Sequence, residues 1–314
     1  MVLGAALSDI DIKFVDGVLG QDVPDKAIPM SPDHERLPDP SIGSWRAHIN
    51  AIQEIVKRNL STALILEDDA DWDVRIKDQL RDFATATRAL TQPLDGTSGS
   101  YADPTYPTPK GQAEVREFQF HNLPKTVVPR HSPYGDNWDL LWVGHCGMHF
   151  PFADNRNLPK GRVVWTDQTV PQKQYLWNID QPEDIKEQYP DHTRVVHHAQ
   201  EAVCSLGYAV TQKAARQILF EIGLKDVDSA YDLNLLKFCN GQDGRGDHRC
   251  LTMQPALFQH HRPMGPKSFE SDISDHGDEW QDKPLTDMVR WSVRLNAEEI
   301  MNGGRNFSDQ WPDT

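Results

Sequence analysis

The feature that most constrains the fold is an apolar run that ends in a cluster of acidic residues. Apolar residues 63–66 are followed by five carboxylates within seven residues: Glu67, Asp68, Asp69, Asp71 and Asp73. A short, uninterrupted apolar run is typical of a strand buried on both faces of a parallel sheet, whose ligands gather at the carboxyl ends of the strands. Adjacent carboxylates repel one another unless a proton, a basic group or a divalent cation intervenes. We therefore expect a hard metal ion here, held by Glu67 and Asp69.

The acidic segment also has other interpretations. Asp71 and Asp73 suit the start of a helix, because aspartates there cap free N–H groups and the residues that follow have apolar side chains at helical spacing. Asp69 and Asp71 imitate the acidic motif of haloacid-dehalogenase phosphotransferases, but that motif expects Thr or Val where Asp73 stands. An EF-hand is excluded, since Val74 and Leu80 occupy the positions of its glycine and its bidentate glutamate.

The rest of the chain shows the alternation of strands and helices that is typical of an α/β fold. Apolar spacing predicts strands at 10–14, 63–66, 140–143 and 195–196, and helices at 45–60, 75–90, 211–223, 229–238 and 285–295. Thr211 is expected to cap one helix and Gly223 to end it, while Ser229 and Asp232 have the spacing of a capping box. Residues 92–111, with four prolines and three glycines, predict a surface loop.

Composition limits the possible partners. With 314 residues and 38% apolar residues, the chain can form a large core, in one large domain or two small ones. Of these we expect a single domain over 1–314 that closes with a packing helix and tail over 280–314. The net charge of −15 opposes binding to nucleic acid or to acidic membranes. The apolar stretches are no longer than strands, so a membrane-spanning helix is not expected.

The four cysteines are open to two interpretations. Cys146, Cys204, Cys239 and Cys250 have no CxxC spacing, which argues against a zinc or redox motif. They are either buried free thiols or, for Cys239 and Cys250 around a Gly- and Asp-rich turn, a disulfide of a secretory protein. Asn59 and Asn306 begin glycosylation sequons, but such triplets arise often by chance and prove no compartment.

Several motifs together resemble glycosyltransferase family 25, in particular its fungal branch, which is related to bacterial lipooligosaccharide and animal collagen galactosyltransferases. The resemblance covers nearly the whole chain. It rests on the segment Ile42-Gly43-Ser44-Trp45-Arg46-Ala47-His48, on residues 63–70, 138–144 and 206–211, on Asp232, on Gln259 and on residues 271–273. It implies a GT-A fold, in which a Rossmann-like, mostly parallel sheet flanked by helices binds a UDP-sugar.

The resemblance also implies roles for individual residues. Glu67-x-Asp69 would act as the DxD motif that holds Mn²⁺ (or Mg²⁺) on the donor's diphosphate, and Asp68 would orient its sugar or ribose. His48 would organise the site without binding metal. Either His260 or His261 would complete the metal shell, and we name His261. Because family members invert the anomeric centre, a carboxylate base is expected; Asp232 matches it, with Asp228 in reserve. Further contacts to donor or acceptor are expected at six positions: Asp16, Gly17, Gly144, Gln259, Ser271 and Asp272.

The sequence departs from the family at its beginning. Family members start with a strand and an Arg- and Asp-containing loop, and Met1 to Ser8 resembles the end of the helix that follows. The first strand of the nucleotide-binding sheet is therefore expected to be missing, and we expect this form to bind the donor more weakly. The alternative function is an inactive domain that binds a nucleotide-sugar or a glycan. The expected donor is UDP-galactose, then UDP-glucose, and the acceptor a hydroxyl of a glycan, a protein or a lipid-linked saccharide. The resemblance favours the secretory pathway.

Overall fold

The computed structural model describes most of the chain: residues 1–30, 35–109, 114–179, 181–271, 273 and 276–314. Asp272 therefore lies outside the described residues. The α-helices are α1 Val2–Leu7, α2 Asp39–Lys57, α3 Ile76–Thr91, α4 Asp184–Gln188, α5 Gln212–Phe220, α6 Tyr231–Asn240 and α7 Ala297–Met301. The strands are β1 Thr62–Leu66, β2 Ala70–Trp72, β3 Glu117–Gln119, β4 Leu140–Gly144, β5 Gly147–His149, β6 Arg162–Thr166, β7 Thr193–His198, β8 Gln200–Val203, β9 Gly207–Thr211, β10 Cys250–Gln254, β11 Phe258–Arg262, β12 Gly265–Pro266, β13 Trp280–Gln281 and β14 Leu285–Thr286.

The largest sheet in the described part of the chain has seven strands in the order β1-β9-β4-β10-β7-β6-β3. The pairs β10·β4 and β3·β6 are parallel, whereas the other four pairs are antiparallel. The α/β class is confirmed, but the prediction of a mostly parallel sheet is wrong, since the sheet is mixed. Apolar runs report burial on both faces of a strand, and such burial does not depend on the direction of its neighbours.

Strand β4 lies near the middle of this sheet, and its side chains divide the core in two. Leu140 and Trp142 pack on one face, in a cluster that includes apolar residues of α2, α5 and α6. Leu141 and Val143 pack on the other face, against α3 and β10. Helices therefore cover both faces of the sheet, as the alternation of predicted elements indicated.

The acidic residues follow an edge strand. β1 pairs with β9, and no second partner is present among the described residues. Ala63 and Ile65 pack on the core, whereas Leu64 is 40% exposed. The prediction that 63–66 is buried on both faces is therefore wrong, although the strand itself is confirmed. Leu66, on the same face as Leu64, is partly buried against the second core cluster, so this face is only partly covered, and an apolar run alone does not reveal this.

A second, three-stranded sheet in the order β14-β11-β2 lies directly after the acidic turn. The chain leaves β1 at Leu66, turns through residues 67–69 and enters β2, which pairs antiparallel with β11. Trp72 of β2 and Phe258 of β11 pack in the same core cluster as Leu141. The acidic turn is thus held between two sheets that share one core.

The predictions for the two ends of the chain need correction. Residues 10–14 form no strand; Ile10 packs on the core, but Phe14 is 54% exposed. Residues 285–295 form no helix, because they pair like a strand with the backbone after β2: Val293 N–H donates to Trp72 O (2.9 Å) and Val74 N–H to Trp291 O (2.9 Å). The terminal helix is only α7, residues 297–301.

Two predicted helix boundaries also differ. Thr211 caps α5 as expected, since its hydroxyl accepts Ala214 N–H (3.1 Å). Gly223 does not end that helix, because the chain continues as a π-helix over Glu221–Lys225. The capping box at the start of α6 is wrong: Ala230 is the N-cap residue, no side chain caps it, and Asp232 binds elsewhere.

Part of the predicted surface loop at 92–111 is buried. Its residues 110–111 lie outside the described part of the chain, but Asp103 and Thr105 are fully enclosed. Asp103 accepts hydrogen bonds from Thr105 N–H (2.8 Å), Thr105 Oγ1 (2.6 Å) and Gly161 N–H (2.9 Å). These bonds replace those that the carboxylate would make to water, which is why so polar a segment enters the interior.

All four cysteines form disulfides. Cys239 bonds to Cys250, as one of the two interpretations held, and Cys146 bonds to Cys204, which spacing did not indicate. Cys146 lies between β4 and β5, and Cys204 lies between β8 and β9, so this second bond joins two connections that are 58 residues apart in sequence.

Among the described residues, no helix combines the length and the apolar character that a membrane crossing requires.

We expect the Asp167→Asn variant to lose stability in a pH-dependent way. Asp167 accepts Arg194 Nε–H (3.0 Å) and Thr169 N–H (2.8 Å). Burial raises the pKa of Asp167, but Arg194 and Thr169 outweigh it, and the pKa lies below its ordinary value. A lowered pKa stabilises the fold above the unfolded-state pKa, and the effect disappears as pH falls through the folded-state pKa. Urea unfolding at pH 7 should show a loss of about 3 kcal/mol.

The same comparison in acid distinguishes this ion pair from simple packing. Below the folded-state pKa of Asp167, the wild-type carboxyl is neutral like the amide of the variant, so the difference in unfolding free energy should shrink. A difference that stays constant from pH 7 into acid would contradict the assignment.

Candidate metal centre

A tight turn after β1 carries three consecutive acidic residues, Glu67, Asp68 and Asp69. Glu67 N–H donates to Leu206 O (2.9 Å), and Ala70 N–H donates back to Glu67 O (3.2 Å). The guanidinium of Arg294 donates to two carbonyls of the turn, Asp68 O (2.6 Å) and Ala70 O (2.8 Å). The turn is therefore fixed by its backbone, and the carboxylates of Glu67 and Asp69 do not hold it.

Glu67 is well supplied with hydrogen-bond donors. Ser205 Oγ–H donates to Glu67 Oε1 (2.7 Å), and His48 Nε2 lies 3.3 Å from the same oxygen. Burial raises the pKa of Glu67, but the hydrogen bond and charge of His48 and the Ser205 hydroxyl outweigh this, so the pKa lies below its ordinary value. Glu67 is thus an anion.

His48 is held rigidly from α2. Its Nδ1 lies 3.0 Å from Tyr208 Oη, and its ring stacks on Tyr231 with centroids 4.3 Å apart and planes 1° apart. Tyr208 and Tyr231 are joined by their hydroxyls at 2.9 Å. The structure therefore brings His48 beside Glu67, and the role of organising the site that the resemblance implies for His48 stays a prediction.

Asp69 has the opposite environment. Its Oδ1 is buried and has no hydrogen-bond partner among the described residues. Burial and the nearby charge of Glu67 raise the pKa of Asp69 to about 7. A buried carboxylate oxygen without a hydrogen-bond donor costs free energy. A cation would coordinate this oxygen and would also reduce its repulsion from Glu67.

His260 completes a group of three potential ligands. Glu67, Asp69 and His260 each offer one ligand atom, and these atoms all lie within 4.8 Å of one another. Nε2 of His260 is 3.9 Å from Asp69 Oδ2. Burial and the charge of Arg262 lower the pKa of His260 to about 4, so its imidazole is neutral, as a metal ligand must be.

The structure brings His260, and not the expected His261, to the acidic turn, because successive side chains of a strand point to opposite faces. Both histidines lie on β11, and His261 Nδ1 lies 3.1 Å from Thr286 Oγ1 of the neighbouring strand β14. Only His260 belongs to the group with Glu67 and Asp69. The adjacent pair of histidines gave no indication of which one faces the acidic turn.

The residues present fit a divalent cation of the Mn²⁺ or Mg²⁺ class. Carboxylates suit both ions and imidazole is a borderline ligand that Mn²⁺ accepts, while three protein ligands leave positions for phosphate oxygens or water. The unpaired Asp69 Oδ1 is the observation that favours a cation over a closed hydrogen-bond network.

The two remaining acids of the segment have structural contacts. Asp71 is buried; Thr286 Oγ1–H (2.6 Å) and Ser292 Oγ–H donate to its Oδ2. Asp73 accepts Arg75 N–H (2.9 Å) and pairs with the Arg75 guanidinium (2.9 Å). The interpretation that both residues cap a helix is not confirmed, because Asp71 lies within β2 and no side chain caps the start of α3, although Asp73 accepts the N–H of Arg75, its N-cap residue. Both carboxylates are held by these contacts, and neither belongs to the group with Glu67.

The two candidate bases both have partners. Lys237 binds Asp228, and although burial raises the pKa of Asp228, this lysine and Ser229 bring it below its ordinary value. Asp232 Oδ2 accepts Cys204 N–H (2.8 Å), and its Oδ1 accepts Leu233 N–H (2.9 Å). Asp232 is thereby joined to the segment that contains Ser205, the donor to Glu67.

The other expected contact residues lie in several different environments. Gln259 of β11 is buried and donates to Ala256 O (3.3 Å) in the segment just before that strand. Gly144 lies against β9, where a side chain would meet Gly207 N at 2.7 Å, so close strand packing accounts for the glycine. Ser271 accepts Ile273 N–H (3.1 Å). Three further expected residues, Asp16, Gly17 and Asp68, are exposed.

Sequence reasoning missed Ser205, Tyr208, Tyr231 and Arg294. Each contacts the acidic turn or His48 through a hydrogen bond or a stacked ring. Tyr208 lies in a segment that carried the family resemblance, but the others come from positions with no motif of their own. Their contacts join residues more than a hundred positions apart, which local spacing does not report.

A pocket borders this region at Cys146. It has a volume of about 350 Å³, including space open to solvent, and His145, Trp177 and Asn178 are among its lining residues. His145 Nε2–H donates to Met253 O (3.1 Å), while His145 Nδ1 and Asn178 Oδ1 are buried without partners among the described residues. Both are acceptors, and the described part of the chain gives neither of them a donor.

Comparison with protein-family models gives no match, and a search of curated proteins finds none similar enough to count as a relative.

We expect His260→Ala to weaken Mn²⁺ binding at least tenfold, because it removes one of three ligand atoms. The matched control is His261→Ala on the opposite face of the same strand, which loses only a hydrogen bond to Thr286. The free-ion electron paramagnetic resonance signal of Mn²⁺ measures both dissociation constants. Equal effects of the two substitutions, or a larger effect of His261→Ala, would contradict the assignment of His260.

Proposed function

We propose that this protein is a metal-dependent, inverting glycosyltransferase that moves a hexose, first of all galactose, from a UDP-sugar to a hydroxyl group. The acceptor is a glycan, a protein or a lipid-linked saccharide. The observation that carries the proposal is the group of Glu67, Asp69 and His260, whose ligand atoms lie within 4.8 Å at the carboxyl end of an edge strand. Agreement of its acidic part with the DxD-like motif of family 25 supports the same function.

Glu67, Asp69 and His260 would hold the cation, and a divalent cation supplies neutralisation of the charge that develops on a departing diphosphate. His48 and Ser205 keep Glu67 ionised and oriented. Asp68 is exposed beside them while its carbonyl is held by Arg294, so its carboxylate is available to hydroxyl groups of a donor.

Asp232 is the better candidate for the base that accepts the proton of the acceptor hydroxyl. Asp228 is neutralised by Lys237, whereas Asp232 accepts only backbone N–H groups among the contacts described above. The bond from Cys204 fixes one oxygen of Asp232 and sets its orientation relative to the neighbouring Ser205. A fixed carboxylate near the metal ligands suits general base catalysis.

The pocket at Cys146 supports a hydroxyl-rich acceptor. His145 Nδ1 and Asn178 Oδ1 need hydrogen-bond donors, and the half-exposed ring of Trp177 offers an aromatic face. Sugars present both hydroxyl donors and apolar C–H faces. The two disulfides are compatible with the oxidising lumen of the secretory pathway, and the net charge of −15 argues against nucleic acid as a partner.

A second candidate function is a domain that binds a nucleotide-sugar or a glycan without turning it over. The observation in its favour is that both candidate bases already have partners. The two functions differ in one measurable product, because only the enzyme releases UDP.

The proposal predicts UDP release from UDP-galactose, with UDP-glucose next, when Mn²⁺ and a panel of saccharide and hydroxylated-peptide acceptors are supplied. Asp69→Asn should reduce the rate by at least a hundredfold, because it removes a charged ligand. Coupled detection of UDP measures this. Saturable donor binding without UDP release would favour the binding domain, and no Mn²⁺-dependent binding of any UDP-sugar would contradict both the enzyme and a domain that binds a nucleotide-sugar.

Asp232→Asn separates a base from a structural carboxylate. The amide oxygen still accepts Cys204 N–H, so we expect a loss of unfolding free energy of about 1 kcal/mol or less, measured by urea unfolding. The rate of sugar transfer should fall at least a hundredfold while donor binding persists. Asp228→Asn is the control and should retain most of the rate. Full transfer activity of Asp232→Asn would exclude Asp232 as the base.

A further inference from the structure

The Cys146–Cys204 disulfide lies against the candidate metal centre, and the role proposed above does not use it. Cys146 follows β4 and Cys204 follows β8, 58 residues later in the chain. Cys204 has φ of +65°, a left-handed backbone conformation that a residue with a side chain rarely adopts. Such a conformation persists only where the surroundings impose it, so the contacts of this segment are informative.

The three residues that begin with Cys204 make a series of contacts to the site. Cys204 N–H donates to Asp232 Oδ2 (2.8 Å), Ser205 Oγ–H donates to Glu67 Oε1 (2.7 Å), and Leu206 O accepts Glu67 N–H (2.9 Å). Cys204 O in turn accepts Trp142 Nε1–H (2.9 Å) from the central strand β4. One short segment thus sets the position of a metal ligand and of the candidate base.

The other half of the disulfide contacts the histidine ligand. Cys146 Sγ lies 3.9 Å from His260 Nδ1, within hydrogen-bond range for sulfur. A disulfide sulfur has no hydrogen, so Nδ1 of His260 must be the donor. The proton of the neutral ring then resides on Nδ1, and the lone pair of Nε2 is directed to the side of Asp69. Histidine ligands of metals commonly donate their second N–H to a carboxylate, a backbone carbonyl or water, and here the sulfur of Cys146 occupies that position.

We propose that the Cys146–Cys204 disulfide is a positioning element of the metal centre, acting on Glu67 through Ser205 and on His260 through the sulfur of Cys146. The inference rests on the metal site of the proposed function and adds the element that sets its geometry. A covalent bond suits this task because it adds a second link between the segments that contact Glu67 and His260, besides the pairing of β2 with β11.

The second disulfide provides a matched control. Cys239–Cys250 joins the end of α6 to the start of β10 and is buried in the core cluster beneath α2 and α5. Both bonds restrict the unfolded chain and both should raise stability. Only Cys146–Cys204 has the contacts to Glu67 and His260 described above.

The test compares the double variants Cys146→Ala/Cys204→Ala and Cys239→Ala/Cys250→Ala with the wild-type protein. Thermal unfolding followed by circular dichroism gives stability, and Mn²⁺ dissociation constants are measured by electron paramagnetic resonance well below each melting temperature. We expect both variants to melt at lower temperature but only Cys146→Ala/Cys204→Ala to bind Mn²⁺ at least tenfold more weakly. Equal Mn²⁺ affinity in the two folded variants would overturn the proposal.

A second pair of variants tests the route through Ser205 and leaves both disulfides intact. Ser205→Ala removes the hydroxyl that donates to Glu67 and should weaken Mn²⁺ binding severalfold, whereas Ser205→Thr keeps a hydroxyl and should restore most of the affinity. Wild-type affinity in Ser205→Ala would overturn this route even if the cysteine variants do not fold. If the wild-type protein itself binds no Mn²⁺, the proposed function and this inference both fail, whereas failure of the inference alone leaves wild-type binding intact.

Discussion

Two carboxylates, Glu67 and Asp69, are placed close together at the end of an edge strand, and only one of them has the donors it needs. Ser205 and His48 satisfy Glu67, which remains ionised. Asp69 receives no donor on its buried Oδ1 among the described residues and has a pKa raised to about 7 by burial and by Glu67. A buried, unpaired carboxylate oxygen beside an anion costs free energy unless a cation is bound. The residues around the acidic turn hold Glu67 and Asp69 in this arrangement.

Those supports come from parts of the chain that are far apart in sequence. Arg294 fixes the carbonyls of the acidic turn, so the carboxylates remain free for a ligand. Helix α2 supplies His48, which the ring of Tyr231 and the hydroxyl of Tyr208 hold in place. Strand β11 supplies His260 from the second sheet. A site assembled in this way is rigid before any ligand arrives, which lowers the cost of binding one.

The sequence predicts those features that depend on residues close together in the chain. The acidic turn, α2 with His48, the central strand β4 and the cap at Thr211 follow from apolar spacing or from a motif, and the structure contains them. Where the outcome depends on distant contacts, the prediction went wrong. The face of β11 that meets the turn is set by its pairing with β2, so His261 was named where His260 lies. Likewise, Asp232 accepts Cys204 N–H from a distant segment and Leu233 N–H in its own helix, and neither contact is the bond to Ser229 that a capping box requires.

The strand directions and the burial of Asp103 escaped prediction for a related reason. An apolar run reports that a strand is buried, but its neighbours determine whether the sheet is parallel or mixed. A polar loop enters the interior when its carboxylate finds enough donors, and one of the donors to Asp103 is Gly161, 58 residues away. The function is a proposal, and the contacts of Glu67, Asp69 and His260 make it testable on the molecule itself.

The most direct measurement is a crystal structure of the protein with Mn²⁺ and UDP, with diffraction recorded at the manganese absorption edge. The account predicts one strong anomalous peak within bonding distance of Glu67, Asp69 and His260, with the diphosphate on its open side. A peak elsewhere, or none while Asp69 Oδ1 instead accepts a hydrogen bond from an ordered protein group or water, would contradict it.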